Sequence, residues 1–277
     1  MTNLQQKAAD FGGMHTGKDI LLLPNAWDVA SARIVEESGF RAVATTSAGI
    51  AFSLGYADGQ KIPRSEMLSA VARMTSAVQV PVTADVEAGY GDSPEAAAET
   101  ARQVIEAGAV GMNFEDASGD ASNPLIDLSL QLERIHAIRG VAKELGVPLV
   151  LNARTDVYLL QVGEAAKRYD ETVRRLAAFR DAGADCVFVP GLRDSEAIGR
   201  IVTDLRCPVN ILGGPGSPSV PELAKLGVKR VSLGSGPMRA ALGSLRRVAD
   251  ELRNRGTYCA LEGAPSHAEM NKLMGAA

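Results

Sequence analysis

A parallel (β/α)8 TIM barrel with additional C-terminal helices is the fold the chain predicts, and three observations predict it. Short apolar runs alternate with amphipathic, Ala- and Glu-rich stretches along the chain. The amphipathic stretches close at a glycine just before the next apolar run, and several apolar runs end abruptly in charged residues. Near-continuous apolar strands need both faces covered, which a parallel sheet wrapped by helices supplies.

The apolar runs fall at residues 20–26 (ILLLPNA), 41–47 (RAVATTS), 80–86 (VPVTADV) and 110–116 (VGMNFED). They continue at 147–154 (VPLVLNAR), 185–191 (DCVFVPG), 207–214 (CPVNILGG) and 229–236 (KRVSLGSG), which makes eight. Helical patterns lie between them. In SPEAAAETARQVIEAGA, Ser93 is placed to cap, Pro94 to open and Gly108 to stop a helix. SLQLERIHAIRGVAKELG and AAKRYDETVRRLAAFRDAG have the same design. A doubly wound sheet would want Gly-x-Gly-x-x-Gly after its first strand, and LLLPNAWDV has none. Past Gly236, PMRAALGSLRRVADELRNRG and a segment beyond Pro265 predict helices in excess of eight units. The division is therefore a barrel over 1–240 and a helical extension over 241–277.

Bulk properties exclude several functions. The chain has 277 residues, 46% hydrophobic and 22% charged, enough for one large core. A net charge of -4 with interspersed signs gives no nucleic-acid surface, so a small anionic substrate must be drawn by local arginines. No apolar stretch is long enough to span a membrane, and the N-terminus lacks a signal core, so a cytoplasmic location is expected. Cys186, Cys207 and Cys259 lie far apart without zinc spacing, which argues against a zinc site and a disulfide framework.

The chemistry concentrates at strand ends. In PVTADVEAGYGDSP an apolar strand ends in Asp85 and Glu87, then breaks at Gly89 and Gly91. Acids two apart on a strand point to one side and suit one hard metal ion. NFED ends in Glu115 and Asp116, and NARTD in Arg154 and Asp156. The carboxyl ends of barrel strands carry the active site, and Asp85, Glu87, Glu115, Arg154 and Asn210 all fall there.

In motif order, NAWDVASA, TTSAG, LGYADG, ADVEAGYG, NFED and NARTD, the chain resembles the isocitrate lyase and phosphoenolpyruvate mutase superfamily over nearly its whole length. The resemblance implies Mg2+, with Mn2+ as a substitute, held directly by Asp85, with Glu87, Glu115 and Asp58 contributing directly or through water. It also implies a 2-oxo or 2-hydroxy carboxylate gripped by the backbone of Thr46, Ser47 and Ala48 and faced by Arg154. The catalytic residues expected are Arg154, Glu115 and Asp58, with Asn123 and Asn210 as further substrate contacts. A homo-oligomer, dimer or tetramer, with the C-terminal helices packed on or swapped with a neighbouring subunit, is implied as well.

One departure shapes the expected reaction. Relatives that cleave isocitrate or methylisocitrate carry Lys-Lys-Cys-Gly-His after the Glu-Asp of the fourth strand, whereas this chain has ASGDASNPLID. The loop acid/base is missing, and the loop reads as a polar lid whose Asp116, Asp120 or Asn123 are candidate replacements. Cleavage beside a carbonyl or hydroxy carbon leaves an enolate that a cation and an arginine stabilise. Decarboxylation tolerates such a loop better than release of a second carbanion does. Carbon-carbon cleavage of a small di- or tricarboxylate is thus the expected activity. The rivals are a phosphonopyruvate-type mutase or hydrolase and a 2-oxo acid binding protein without turnover. His15, His136 and His267 are expected to be non-catalytic, the glycine-rich segments 213–219 and 234–239 to be turns, and Asp28 to cap a helix. Tyr90 and Tyr158 stand at strand ends within reach of a substrate.

Overall fold

The computed structural model describes residues 2–275. In chain order the elements are α1 (Asn3–Thr16), β1 (Leu21–Leu23), β2 (Asn25–Ala26), α2 (Val29–Glu37), β3 (Val43–Thr45), α3 (Ser47–Ser53), α4 (Arg64–Ala77), β4 (Val82–Asp85), α5 (Pro94–Glu106) and β5 (Gly111–Glu115). They continue with α6 (Leu128–Glu144), β6 (Val150–Arg154), α7 (Arg168–Asp181), β7 (Cys186–Phe188), α8 (Ser195–Leu205), β8 (Val209–Leu212), α9 (Val220–Lys225), β9 (Arg230–Ser232), α10 (Gly236–Arg255) and α11 (His267–Gly275). The strands are all parallel, in the order β1-β9-β8-β7-β6-β5-β4-β3-β2, and form the (β/α)8 TIM barrel expected.

Nine strands stand where eight were expected because the first apolar run is split at Pro24, which has no N–H to give a ladder. Leu21–Leu23 pairs with β9 and Asn25–Ala26 pairs with β3, so one interrupted stave serves both neighbours and closes the barrel. The helix signals act as their chemistry requires. The Ser93 hydroxyl accepts from the Ala96 amide at 3.2 Å, and Gly108 leaves α5 with φ +83. The Asp28 carboxylate caps α2, accepting from the Ser31 amide at 2.7 Å. The expected boundary at residue 240 falls inside α10, which runs unbroken to Gly256 at φ +67.

Helix α1 closes the amino-terminal end of the barrel. The Phe11 ring lies so near Gly111 that a Cβ there would sit 2.7 Å from it. His15 is buried, its Nδ1 2.9 Å from the Phe11 carbonyl and its Nε2 3.3 Å from Arg230 Nη1. Burial and the Arg230 charge push this imidazole down to about 4, so it is a neutral structural group. The barrel interior is polar rather than filled by aliphatic layers. Asn113 Oδ1 accepts from Asn152 Nδ2 at 2.7 Å and from Arg230 Nη2 at 3.2 Å, and Asn210 pairs with Ser232. The apolar core lies mainly between strands and helices, around residues such as Ile50, Met74, Ile138 and Phe179.

Candidate active site

The carboxyl end of the barrel gathers the acids. Asp85 is the last residue of β4, and its Oδ2 accepts from the Ser47 amide at 3.0 Å and the Ser47 hydroxyl at 2.8 Å. Its own amide donates to Thr45 Oγ1 at 2.8 Å, and Asn113 Nδ2 approaches Oδ1 at 3.4 Å. Ser47 thereby aims one oxygen of Asp85. The Thr46 amide is taken by the Ala26 carbonyl at 3.0 Å, and its hydroxyl caps Gly49 at 3.3 Å. Ala48 stands in the first turn of α3, where an amide has no acceptor within the helix.

Glu87 reaches the same place by a different route from strand alternation. The strand stops at Asp85, and Glu87 turns at φ +52, followed by Gly89 at +88 and Tyr90 at +57. A side chain at Gly89 would strike Phe114 at 2.7 Å, so the turn requires glycine there. Glu87 Oε2 accepts from the Gln60 amide at 2.6 Å, while Oε1 is buried without a partner among the described residues. Desolvation, then the charges of Asp85 and Asp58, push Glu87 up to about 7. Asp58, on the loop between α3 and α4, is likewise raised, by desolvation of its carboxyl and by Asp85, against the pull of Arg154.

Arg154 ends β6 between two acids. Its Nε and Nη2 fork onto Asp156 at 2.6 and 2.9 Å, and Nη1 meets Glu115 Oε2 at 2.8 Å. Desolvation would lower its proton affinity, but Glu115 and Asp156 outweigh it and hold the guanidinium charged. Asp156 takes two of the three contacts, so Glu115 is the excess acid, and burial pushes it well above the usual carboxylate range. Asp116 points away from this cluster. It is fully buried and accepts from Thr155 Oγ1 at 2.7 Å, the Asp156 amide at 2.9 Å and Arg175 Nη1 at 3.1 Å. Its work is to fix the Arg154–Asp156 segment.

These values have a consequence for stability. Glu87 binds its proton more tightly folded than unfolded, so its contribution is fully present below about 4.5 and is lost as pH rises through about 7. Asp116, pushed up to about 6 by desolvation, acts in the same direction from 3.8 upward. The metal-free protein is expected to lose Tm as pH rises from about 4.5 to 7. Glu87→Gln should flatten that slope, and scanning calorimetry across the window checks it.

The donor set suits a hard cation. Among the described residues no three His, Cys, Asp or Glu are close enough to form a closed cage. Mg2+ needs no such cage, since it keeps several waters and takes one or two carboxylates with substrate oxygens. The orphaned Oε1 of Glu87 and the proton that Glu87 retains are what clustered acids show without a countercharge.

Other expected site residues lie elsewhere. Asn210 is fully buried on β8, bonded to Ser232 Oγ at 3.1 Å. Asn123 is exposed on the loop after β5, where its carbonyl accepts from the Ser118 hydroxyl. Asp120 is exposed and held below the usual range by Ser122, a carboxylate tied within its own loop. Sequence reasoning missed Gln60, Gln131 and Arg134. Their only signal is polar type, and their contacts arise across elements far apart in the chain.

An acid-rich mouth with one forked arginine lies at the carboxyl end of a parallel barrel, the end that carries the active site in (β/α)8 enzymes. The family model described as phosphoenolpyruvate phosphomutase matches residues 11–253. The chain belongs to that family, within the isocitrate lyase and phosphoenolpyruvate mutase superfamily, and is a lyase-type enzyme of it. An uncharacterized protein of Mycobacterium tuberculosis is 38% identical over 84% of this chain and 84% of its own. An oxaloacetate decarboxylase of Bradyrhizobium diazoefficiens is 27% identical over 90% of this chain and 86% of its own. A solved Burkholderia cenocepacia J2315 protein, provisionally named a lyase/mutase, superposes with a TM-score of 0.92 at 41% identity, over 98% of this chain and 96% of that one.

Proposed function

We propose that the protein is a Mg2+-dependent carbon-carbon bond lyase or decarboxylase acting on a small 2-oxo or 2-hydroxy di- or tricarboxylate. The observation that carries this reading is that Asp58, Glu87 and Glu115 all feel the charge of Asp85 at the strand ends, beside an arginine fixed in direction by Asp156 and Glu115. Mg2+, or Mn2+ in its place, would be held by Asp85, with Glu87, Glu115 and Asp58 reaching it directly or through water. When bound, it would supply Lewis acidity to the oxygen on the carbon next to the bond being cleaved, where the enolate charge develops.

The side chains divide the remaining work. Ser47 aims Asp85, and of the expected Thr46 to Ala48 backbone it is the Ala48 amide, in the first turn of α3, that would meet the substrate carboxylate, since the Thr46 and Ser47 amides are taken by Ala26 and Asp85. Arg154 presents a fixed planar cation, a geometry that a lysine does not reproduce. Burial raises the proton affinity of Glu115, whose Oε2 meets Arg154, and this carboxyl would serve as the proton donor to the product. The loop after β5 holds no lysine, cysteine or histidine, which favours decarboxylation, where no second carbanion needs a donor. Oxaloacetate, the substrate in one relative's name, is of this class.

Phosphorus-carbon cleavage fits less well, because Arg154 forks onto Asp156 and meets Glu115 rather than standing free for a transferring phosphoryl group. With Mg2+ and phosphonopyruvate, phosphate release is expected to stay at the level of Asp85→Ala. Release well above that level would replace this reading by the mutase or hydrolase one.

The assembly belongs to the same proposal. Leu242, Leu245 and Leu252 of α10 are 46%, 62% and 52% exposed, and we assign them to a homo-oligomer interface, with the extension from 241 onward as its means. Light scattering is expected to report a dimer or tetramer, and Leu245→Asp to shift it towards monomer. No helix among the described residues is long and apolar enough to cross a membrane, and the cysteines are free, consistent with a reducing cytoplasm.

A further inference from the structure

The turn that carries Glu87 is gripped from outside the barrel by a buried cation with no acid partner. Arg134 of α6 is fully buried, and no carboxylate among the described residues lies within ion-pair distance of it. Its guanidinium stacks 4.7 Å from the Phe114 ring centroid. Nη2 donates to the carbonyls of Ala88 and Gly91, the latter at 2.8 Å. Nη1 donates to Gln131 Oε1 at 2.9 Å, and Gln131 Nε2 donates to the Glu115 carbonyl at 3.0 Å. One bracket therefore holds the backbone beneath both Glu87 and Glu115, which are also joined by the Glu115 amide donating to the Glu87 carbonyl at 3.1 Å.

Two features make the bracket more than packing. The turn it holds is unfavourable alone, with Glu87 and Tyr90 in the left-handed region that side chains avoid. Burying an arginine without an acid is costly, and here its charge is directed at backbone carbonyls rather than at an ion pair. On the opposite side Gln60 completes the hold, donating its amide to Glu87 and accepting from the Tyr90 amide at 2.6 Å through Oε1.

We propose that Arg134, through Gln131 and the turn carbonyls, is the positioning residue that presets Glu87 and Glu115 for a divalent cation. The inference rests on the metal reading above. Its test uses the full chain and Mn2+ as the probe, with the Kd read by electron paramagnetic resonance and backbone amide exchange read metal-free. In Arg134→Met the Mn2+ Kd is expected to rise about tenfold or more, the scale of outer-shell losses, with faster exchange over Glu87–Gly91. Arg134→Lys, able to reach one carbonyl at a time, should fall between the two. A folded Arg134→Met with an unchanged Kd overturns the proposal. Should that variant not fold, an unchanged Kd in Arg134→Lys overturns it instead. Wild type without Mn2+ binding would fail the metal reading. The exchange comparison then decides alone, and unchanged rates over Glu87–Gly91 overturn the bracket.

Discussion

Asp85→Ala is expected to lower Mg2+-dependent turnover by more than about a hundredfold, since loss of even an outer-shell partner costs about 10–100-fold in affinity or activity. The geometry is specific to this residue. Asp85 ends β4 at the centre of the mouth, and Ser47 fixes one of its oxygens by both amide and hydroxyl. Its charge also helps hold Glu87 up to about 7, after desolvation, and raises Asp58. Removing it should bring the Glu87 titration down while abolishing tight metal binding, so the variant separates the two roles. Metal titration by calorimetry, with carboxylate titrations followed by NMR, measures both.

Arg154→Lys is expected to lower kcat/KM by about a hundredfold, the scale of losing one preorganised charge-stabilising donor. A lysine keeps the charge but cannot fork onto Asp156 while also meeting Glu115. Arg154→Met is expected to cost about 3 kcal/mol of stability, because it leaves two largely buried acids without their cation. Steady-state kinetics and denaturant unfolding check the pair of expectations.

The sequence showed the barrel because its signals are local. Apolar runs, Ser93 and Pro94 at a helix start and Gly108 at its end act within a turn or two of the chain. Strand-end placement likewise brought out Asp85, Glu87, Glu115 and Arg154, since parallel strands put all their carboxyl ends on one face. What escaped depends on contacts between distant segments. That the run divided by Pro24 pairs with β9 on one side of it and with β3 on the other emerges only when the barrel closes. Glu87 joins Asp85 through a left-handed turn, not through strand period. Asp116 reads as an acid beside a lid, yet it is the buried anchor of Thr155, Asp156 and Arg175. Asn210 has a strand-end position in sequence, and its bond to Ser232 on the neighbouring strand is a contact the sequence does not show.

The most direct test is NMR of EDTA-treated protein with isocitrate, methylisocitrate and oxaloacetate, before and after Mg2+ is restored, beside Asp85→Ala. The expected result is carbon-carbon cleavage of at least one of these acids that appears with Mg2+ and stays at background in the variant. Cleavage that proceeds equally in EDTA, or that survives Asp85→Ala unchanged, would contradict the metal-centred mechanism.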